Sequence, residues 1–275
     1  MADDQGQDVL RRVEDGVAWI TLNRPESGNA MTAQMRDQIS AWLSEASGDL
    51  GVRAVVITGE GDKGFCTGAD LRSGRTSPPP APPGAPERSL GDAARMIRTG
   101  WQRLVCSIMD CEKPVIAGVN GTAAGGGVHL ALACDLVIAA EEARFIEVFV
   151  RRGIAPDAGG AYLLTRLVGP QRAKELFFFG DDVPARRALE LGMVNRVVPR
   201  AELGKALAEW AGRLAEGPTK AIGLAKALAN RALDVDRATA LWEEAYAQEL
   251  VNGTEDAKEG MRSYAERRAP EFRGW

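Results

Sequence analysis

Residues Gly121–Asp135 read GTAAGGGVHLALACD. The segment follows an apolar run of strand length, Pro114–Val119 (PVIAGV), and precedes another, Leu136–Ala140 (LVIAA). A strand, a glycine-rich turn, a helix through Ala133 and a second strand make an alternating α/β unit with parallel strands. Gly125–Gly127 stand where the helix begins. Backbone N–H groups there lack partners inside the helix, the helix dipole favours negative charge, and no Cβ keeps a ligand away. The spacing is neither the GxGxxG of a dinucleotide turn nor a P-loop ending in GK[ST]. On these residues alone two readings stay open: an anion-binding turn, or a helix packed closely on a strand. His129, in the first turn of this helix, is the only histidine among 275 residues.

Reading outward, Val17–Leu22 (VAWITL) and Val52–Thr58 (VRAVVIT) are strands. Between them Thr32 caps an amphipathic helix through Ser47, with Met35, Ile39, Trp42 and Leu43 on one face. A helix is expected over Ala93–Ser107, a short strand at Arg144–Phe145, and helices over Ala158–Leu167, from Pro170 to Phe178, and over Val183–Gly192. MVNRVV, residues 193–198, closes the alternating part as a strand. Beyond Pro199 the pattern is helical, with breaks at 216–220 and 252–254. Ser73–Glu87 contains SPPPAPPGAPE, which neither helix nor central strand accommodates; it is expected as an exposed, mobile loop, either a tolerated insertion or a lid. No internal repeat of fixed period is visible. The expected plan is an α/β body over 1–200, with 73–95 as a mobile insertion, and a helical region over 201–275.

Composition narrows the function. With 45% hydrophobic and 26% charged residues the chain is an ordinary globular protein, long enough to bury roughly three-quarters of its unfolded surface. Its net charge of −4 argues against nucleic-acid binding, which needs a basic face. Cys66, Cys106, Cys111 and Cys134 show no CxxC spacing, and one histidine does not complete a common zinc set, so no metal site is expected. They read as reduced thiols of a cytoplasmic protein. The polar start, MADDQGQDVLRR, has no apolar core of a signal peptide, and no run approaches the ~20 apolar residues of a spanning helix, so no membrane association is expected.

A second glycine-containing turn, FCTGADL at Phe65–Leu71, also follows a strand. Together with IAGVNGTAAGGGVHLALACDL it resembles the crotonase (enoyl-CoA hydratase/isomerase) superfamily. LNRPESGNAM near the start, GIAPDAGGAYLLTRLVG in the middle, LELGMVNRVVP and the terminal ERRAPEFRG extend the resemblance over nearly the whole chain in order. The resemblance implies a spiral of ββα turns with a C-terminal helical region at subunit contacts, in a homotrimer or a dimer of trimers. It implies an acyl-CoA substrate, with coenzyme A as part of that substrate and no permanently bound cofactor. It further implies that two backbone N–H groups, of Ala69 and Gly126, hold the thioester oxygen as it becomes an enolate. Each such donor is worth ~3 kcal/mol in other oxyanion holes. Cys66, Thr67 and Gly68 would line the same loop against the pantetheine. Arg24 would lie near a CoA phosphate (the plainer reading is a solvated arginine), Ala30 near the adenine through its backbone, and Phe272 near the CoA of an adjacent subunit. Asp70 joins this group by position, though its neighbours read mainly as helix N-cap chemistry.

The acid–base positions depart from the hydratase pattern. A hydratase of this family uses two glutamates around one water. The first lies three residues after the middle glycine, where this chain has His129; the second lies eight before the residue that follows proline in P-x-A-G-G, where this chain has Phe149. Glu147 is two positions off. Phe149 carries no proton, so paired-carboxylate hydration is expected to be weak or absent. Asp157 follows that proline. Its position resembles Asp-type members such as the ring-1,2-epoxyphenylacetyl-CoA isomerases, and a carboxylate beside an apolar wall gains basicity. The plainer reading of Asp157 is a helix N-cap, that of His129 a packed helix residue, and that of Asp135 a structural carboxylate. The expected activity is therefore an Asp157-based proton shuttle, an isomerase or lyase of this family. The alternatives are hydrolysis of a CoA thioester or of a carbon–carbon bond, using Asp157 and His129, or an acyl-CoA-binding protein without catalysis.

Overall fold

The chain opens with a hairpin. Asp15 and Gly16 both take positive φ, 50° and 75°, the geometry of a tight primed turn, and pair β1 (Val9–Glu14) with β2 (Val17–Leu22) antiparallel. The computed structural model describes residues 7–72, 82–86 and 90–275. Thr32 caps α1 (Ala33–Gly48), accepting the Met35 N–H, and Met35, Ile39 and Leu43 are buried along one face. Then come β3 (Ala54–Gly59) and the short β4 (Gly64–Cys66). The proline-rich residues 73–81 and 87–89, with the expected lid, lie outside the described residues. The end of the expected insertion, to 95, lies in helix α2 (Asp92–Ile97). A π-turn at Arg98–Gln102 leads into α3 (Arg103–Met109). The wide turn buries Trp101.

The next elements are β5 (Val115–Val119), β6 (Thr122–Ala124) and α4 (Gly126–Ala133), then β7 (Leu136–Ala140) and β8 (Arg144–Ile146). Helix α5 (Gly160–Phe179) breaks direction at Gly169, φ 77°, just before Pro170. It begins at Gly160 rather than Ala158 because Gly159, in the left-handed region, is its N-cap. Residues expected to open a helix at 183 instead form β9 (Asp182–Pro184), followed by α6 (Ala185–Glu190) and β10 (Arg196–Val198). The tail holds α7 (Arg200–Ala215), α8 (Thr219–Arg231), α9 (Arg237–Asn252) and α10 (Glu255–Glu266).

Among the described residues the strands form two sheets, β1-β2-β3-β5-β7-β10 and β4-β6-β8-β9. Neighbours β3, β5 and β7 are parallel in the first, and β4, β6 and β8 in the second. A long strand, a short strand and a helical segment therefore recur three times, each turn laying one strand on each sheet. This is the ββα spiral the sequence resemblance implied. The turns differ in length, so no fixed sequence period marks them.

Helix α4 lies at the centre, and all eight of its residues are buried; a helix apolar on every side belongs there. One core fills the space among the sheets, α1, α3 and α4. A second lies between the large sheet and Leu203, Ala206, Leu207, Ala211 and Ala215 of α7. Gly118 lets α7 approach, since a Cβ there would stand 2.5 Å from Leu207 Cδ1. Packing of the body thus runs through residue 215, past the boundary expected at 200. Asp135 accepts the Val115 N–H at 2.7 Å and the Lys226 ammonium at 2.9 Å, tying α8 to the sheet as the structural reading of Asp135 expected. Among the described residues no helix is long and apolar enough to cross a membrane.

Candidate active site

The two glycine turns meet. Met31 bridges Ala69 as in parallel strands: the Met31 N–H donates to Gly68 O at 2.8 Å, and Met31 O accepts from the Asp70 N–H at 3.0 Å. Both bonds of this bridge use Met31, so the N–H of Ala69 points away from it. Ala69 is exposed. Gly68 has φ +94°, and a Cβ on it would come 3.1 Å from Ala124 O and 3.6 Å from the Gly126 nitrogen. Gly126 is the first residue of α4, so its N–H has no acceptor within the helix. Around it clearance is minimal: a Cβ at Gly127 would sit 1.9 Å from Cys66 O, and one at Gly126 would sit 2.8 Å from the Trp101 ring. The packing reading and the ligand reading of the three glycines are therefore compatible, Gly127 serving the first and Gly126 lying at the open turn.

Asp157 lies at a cleft of about 770 Å³ whose lining includes Ile97, Gln102, Pro156, Gly159 and Tyr162. Gln102 fixes its backbone, donating to Asp157 O at 3.1 Å. The helix begins three residues later, with Gly159 as its N-cap and no side chain capping it, so the N-cap reading of Asp157 does not hold. Burial pushes the Asp157 carboxyl above its ordinary range, opposed by the nearby His129 and Arg36. Arg36 packs its guanidinium 5.5 Å from the centre of the Trp101 ring.

His129 is fully buried. Its Nε2 lies 3.1 Å from both carboxylate oxygens of Glu147, and Phe149 stacks on its ring at 5.2 Å, 8° from parallel. The far edge of Phe149 is 3.6 Å from where a Gly125 Cβ would stand. Thus the Phe149 ring packs against both the His129 imidazole and Gly125.

The residues expected to hold CoA divide into two places. Arg24 pairs with Asp70 at 2.8 Å, approaches Asp8 at 3.5 Å, and donates to Ala30 O at 2.7 Å. The solvated-arginine reading of Arg24 is corrected, because this cluster holds it. Asp70 accepts the Arg72 N–H at 2.9 Å, and the residues a helix capped by it would need lie outside the described residues. The Ala30 N–H donates to Ser27 O, so both of its backbone groups already have partners within the turn. Thr67 packs on the same turn, its N–H donating to Gly28 O at 3.1 Å. The Cys66 side chain is in the core, its thiol pushed up to about 12 by burial, so it presents no side-chain surface to a ligand. Phe272 lies elsewhere: its ring touches Gly260 of α10, and its carbonyl accepts from Arg53 at 3.2 Å, at the start of β3. The glycine turn of Ala69 follows β4, which comes after the other end of β3.

Sequence reasoning did not single out Trp101, Gln102, Arg36 or Gly160. Trp101 and Gln102 sit in a π-turn that no helical periodicity announces. Gly160 was visible within the DAGG run; a Cβ there would stand 1.8 Å from His129 Nε2.

Comparison with known proteins agrees with this architecture. Residues 12–274 match the family described as Enoyl-CoA hydratase/isomerase. The chain is 37% identical over 267 residues to the 1,2-epoxyphenylacetyl-CoA isomerase of Escherichia coli, covering 97% of this chain and 98% of the other. It is 35% identical over 268 residues to the crotonyl-CoA hydratase of Syntrophomonas wolfei, with 97% and 98% covered. The crystal structure of an enoyl-CoA hydratase from Bacillus anthracis superposes with a TM-score of 0.86 at 35% identity, over 98% of this chain and all of that one. The chain belongs to the enoyl-CoA hydratase/isomerase family.

Proposed function

We propose that this enzyme moves a proton along the acyl chain of a CoA thioester, with Asp157 as the proton carrier and the N–H groups of Ala69 and Gly126 as the oxyanion hole. For a 3-enoyl thioester the Asp157 carboxylate takes a proton from C2. The electron pair of that C–H bond passes into the carbonyl, whose oxygen becomes the enolate oxygen between the two donors. The carboxylic acid then returns the proton to C4, and the double bond moves from C3–C4 to C2–C3. No atom is gained or lost, and CoA leaves as part of the product. Preorganised backbone donors of this kind stabilise developing charge without rearranging, and a carboxyl raised by a dry wall is a better base at neutral pH.

The observation that carries this reading is the stack of His129 on Phe149. These two residues stand at the positions where paired-carboxylate hydration needs acids, and Asp157 is the carboxylate left at the cleft. Arg24 and Asp70, beside Ala30 and Thr67, form the candidate rim for the CoA nucleotide. Phe272 and the exposed apolar face of α9, with Leu241, Trp242, Tyr246 and Leu250, suit contacts between subunits of a homotrimer or a dimer of trimers.

The test is hydrogen exchange from an acyl-CoA thioester in heavy water. The parent enzyme is expected to exchange C2 and C4 hydrogens and to raise the conjugated-thioester absorbance from a 3-enoyl-CoA. Asp157→Asn is expected to lose about 10²–10⁴-fold in both. Rapid loss of crotonyl-CoA absorbance, with hydrated product and no exchange at C4, would make the enzyme a hydratase instead. Release of free CoA thiol would make it a hydrolase.

A further inference from the structure

The proton shuttle leaves one buried acidic group without a task. Glu147, 4% exposed, directs both carboxylate oxygens at His129 Nε2, 3.1 Å from each. Burying a carboxylate is unfavourable unless it is well paired, and such groups are best explained where they fix a geometry. The imidazole they hold has no exposed surface. Phe149 covers one face of the ring. Its tip meets Glu147, and a Cβ at Gly160 would stand 1.8 Å from Nε2, so only glycine leaves the ring its place. A residue that exchanges protons with a substrate has to come within hydrogen-bond reach of it. His129 is layered behind Phe149, whose far edge reaches Gly125 at the glycine turn.

We propose that Glu147 and His129 are positioning residues: they brace the Phe149 ring as a water-excluding wall beside Gly125, so that the enolate is reprotonated and the 2-enoyl thioester it forms is not then hydrated. This rests on the isomerase reading above. Water addition would bond the water oxygen to C3 and place a proton on C2, using the position that Phe149 closes.

Two measurements test it. Because His129 is the only histidine, a single pair of ring-nitrogen signals reports on it after ¹⁵N-histidine labelling. The proton is expected on Nε2, donated to Glu147, and the signals are expected to stay put when the thioether S-butyl-CoA saturates the enzyme. Glu147→Leu is expected to abolish the Nε2–H signature, and Glu147→Gln, which still accepts a hydrogen bond, to restore it. The second measurement is product partition from 3-hexenoyl-CoA in ¹⁸O-water. Glu147→Leu and Phe149→Leu are expected to raise the ratio of hydrated to isomerised product about tenfold, as water enters the site. If Glu147→Leu does not fold, Phe149→Leu and Glu147→Gln carry the comparison. An unchanged partition in Phe149→Leu, or ring-nitrogen signals that shift on ligand binding, would overturn the brace and place His129 in contact with substrate. The histidine signature needs no turnover, so it stands or falls separately from the isomerase reading.

Discussion

The glycine junction and the proton-transfer end lie at the same helix, yet they are built on opposite terms. At the junction the working groups are backbone N–H donors, which every residue but proline possesses. What the sequence controls there is clearance: 1.9 Å from a Gly127 Cβ to Cys66 O, 2.8 Å from a Gly126 Cβ to Trp101. At the other end the groups assigned to the chemistry are side chains: His129, Glu147, Phe149 and Asp157. In the proposed mechanism the first region fixes what kind of intermediate the fold holds. The second decides what happens to that intermediate in this mechanism, and there this chain carries His129 and Phe149 where the hydratase pattern has two glutamates.

The contrast breaks first at Gly127. Its missing Cβ faces a backbone carbonyl, which has nowhere to go, so Gly127→Ala is expected to destabilise the fold by about 3 kcal/mol or more. Thermal unfolding checks this; a transition within a degree of the parent would show that the helix and β4 are not in tight contact. Gly126→Ala is expected to act more gently on stability and more sharply on rate. The atoms nearest its Cβ belong to the Trp101 ring, a side chain that can yield, but the shift would move the N–H off its proposed target. A loss of about 10²-fold in kcat is expected, the size of losing one oxyanion donor. Adding Trp101→Leu should recover part of it, a coupling measurable as a double-mutant cycle. Additive effects of the two substitutions would show that Trp101 does not set the position of that amide.

This division also explains what could be read in advance. The alternation of β3, α4 and β7, the Thr32 cap and the break before Pro170 follow from local periodicity and turn chemistry, and they stand in the structure. The short strands β4, β6 and β9 escaped notice, because three-residue strands held by sheet pairing leave almost no period-2 signal, and the six-residue β1 (VLRRVE) escaped because Arg11, Arg12 and Glu14 interrupt its apolar pattern. The glycine turns were legible because a clearance requirement leaves a mark in residue identity. The meeting of Asp70 with Arg24, and of Glu147 with His129, was not legible: each joins residues 46 and 18 positions apart through tertiary packing. Burial misled in the other direction at Cys66, whose place beside the TGAD turn suggested ligand contact while its side chain turned into the core.

The smallest expected effect bears on the proton-transfer end alone. Burial raises the folded-state Asp157 carboxyl above its ordinary 3.8. Between the unfolded value and that raised folded value the folded chain binds more protons than the unfolded one, so this group's contribution to stability falls as pH rises through the window. Above the window the full penalty of holding a desolvated carboxylate remains. Asp157→Asn removes the charge and keeps the shape. Its melting temperature relative to the parent is therefore expected to climb as pH is raised from about 4 toward 7, by about a degree or two, while exchange activity collapses. Calorimetry of the two proteins across that range checks it. A flat or falling difference would mean that the folded site stabilises the charged carboxylate, and burial in its cleft would then not be what makes Asp157 a base. A more stable but inactive variant would instead show strain held at the catalytic group, the usual trade of stability for activity, and would mark the proton-transfer end as the region where this chain departs from what folding alone requires.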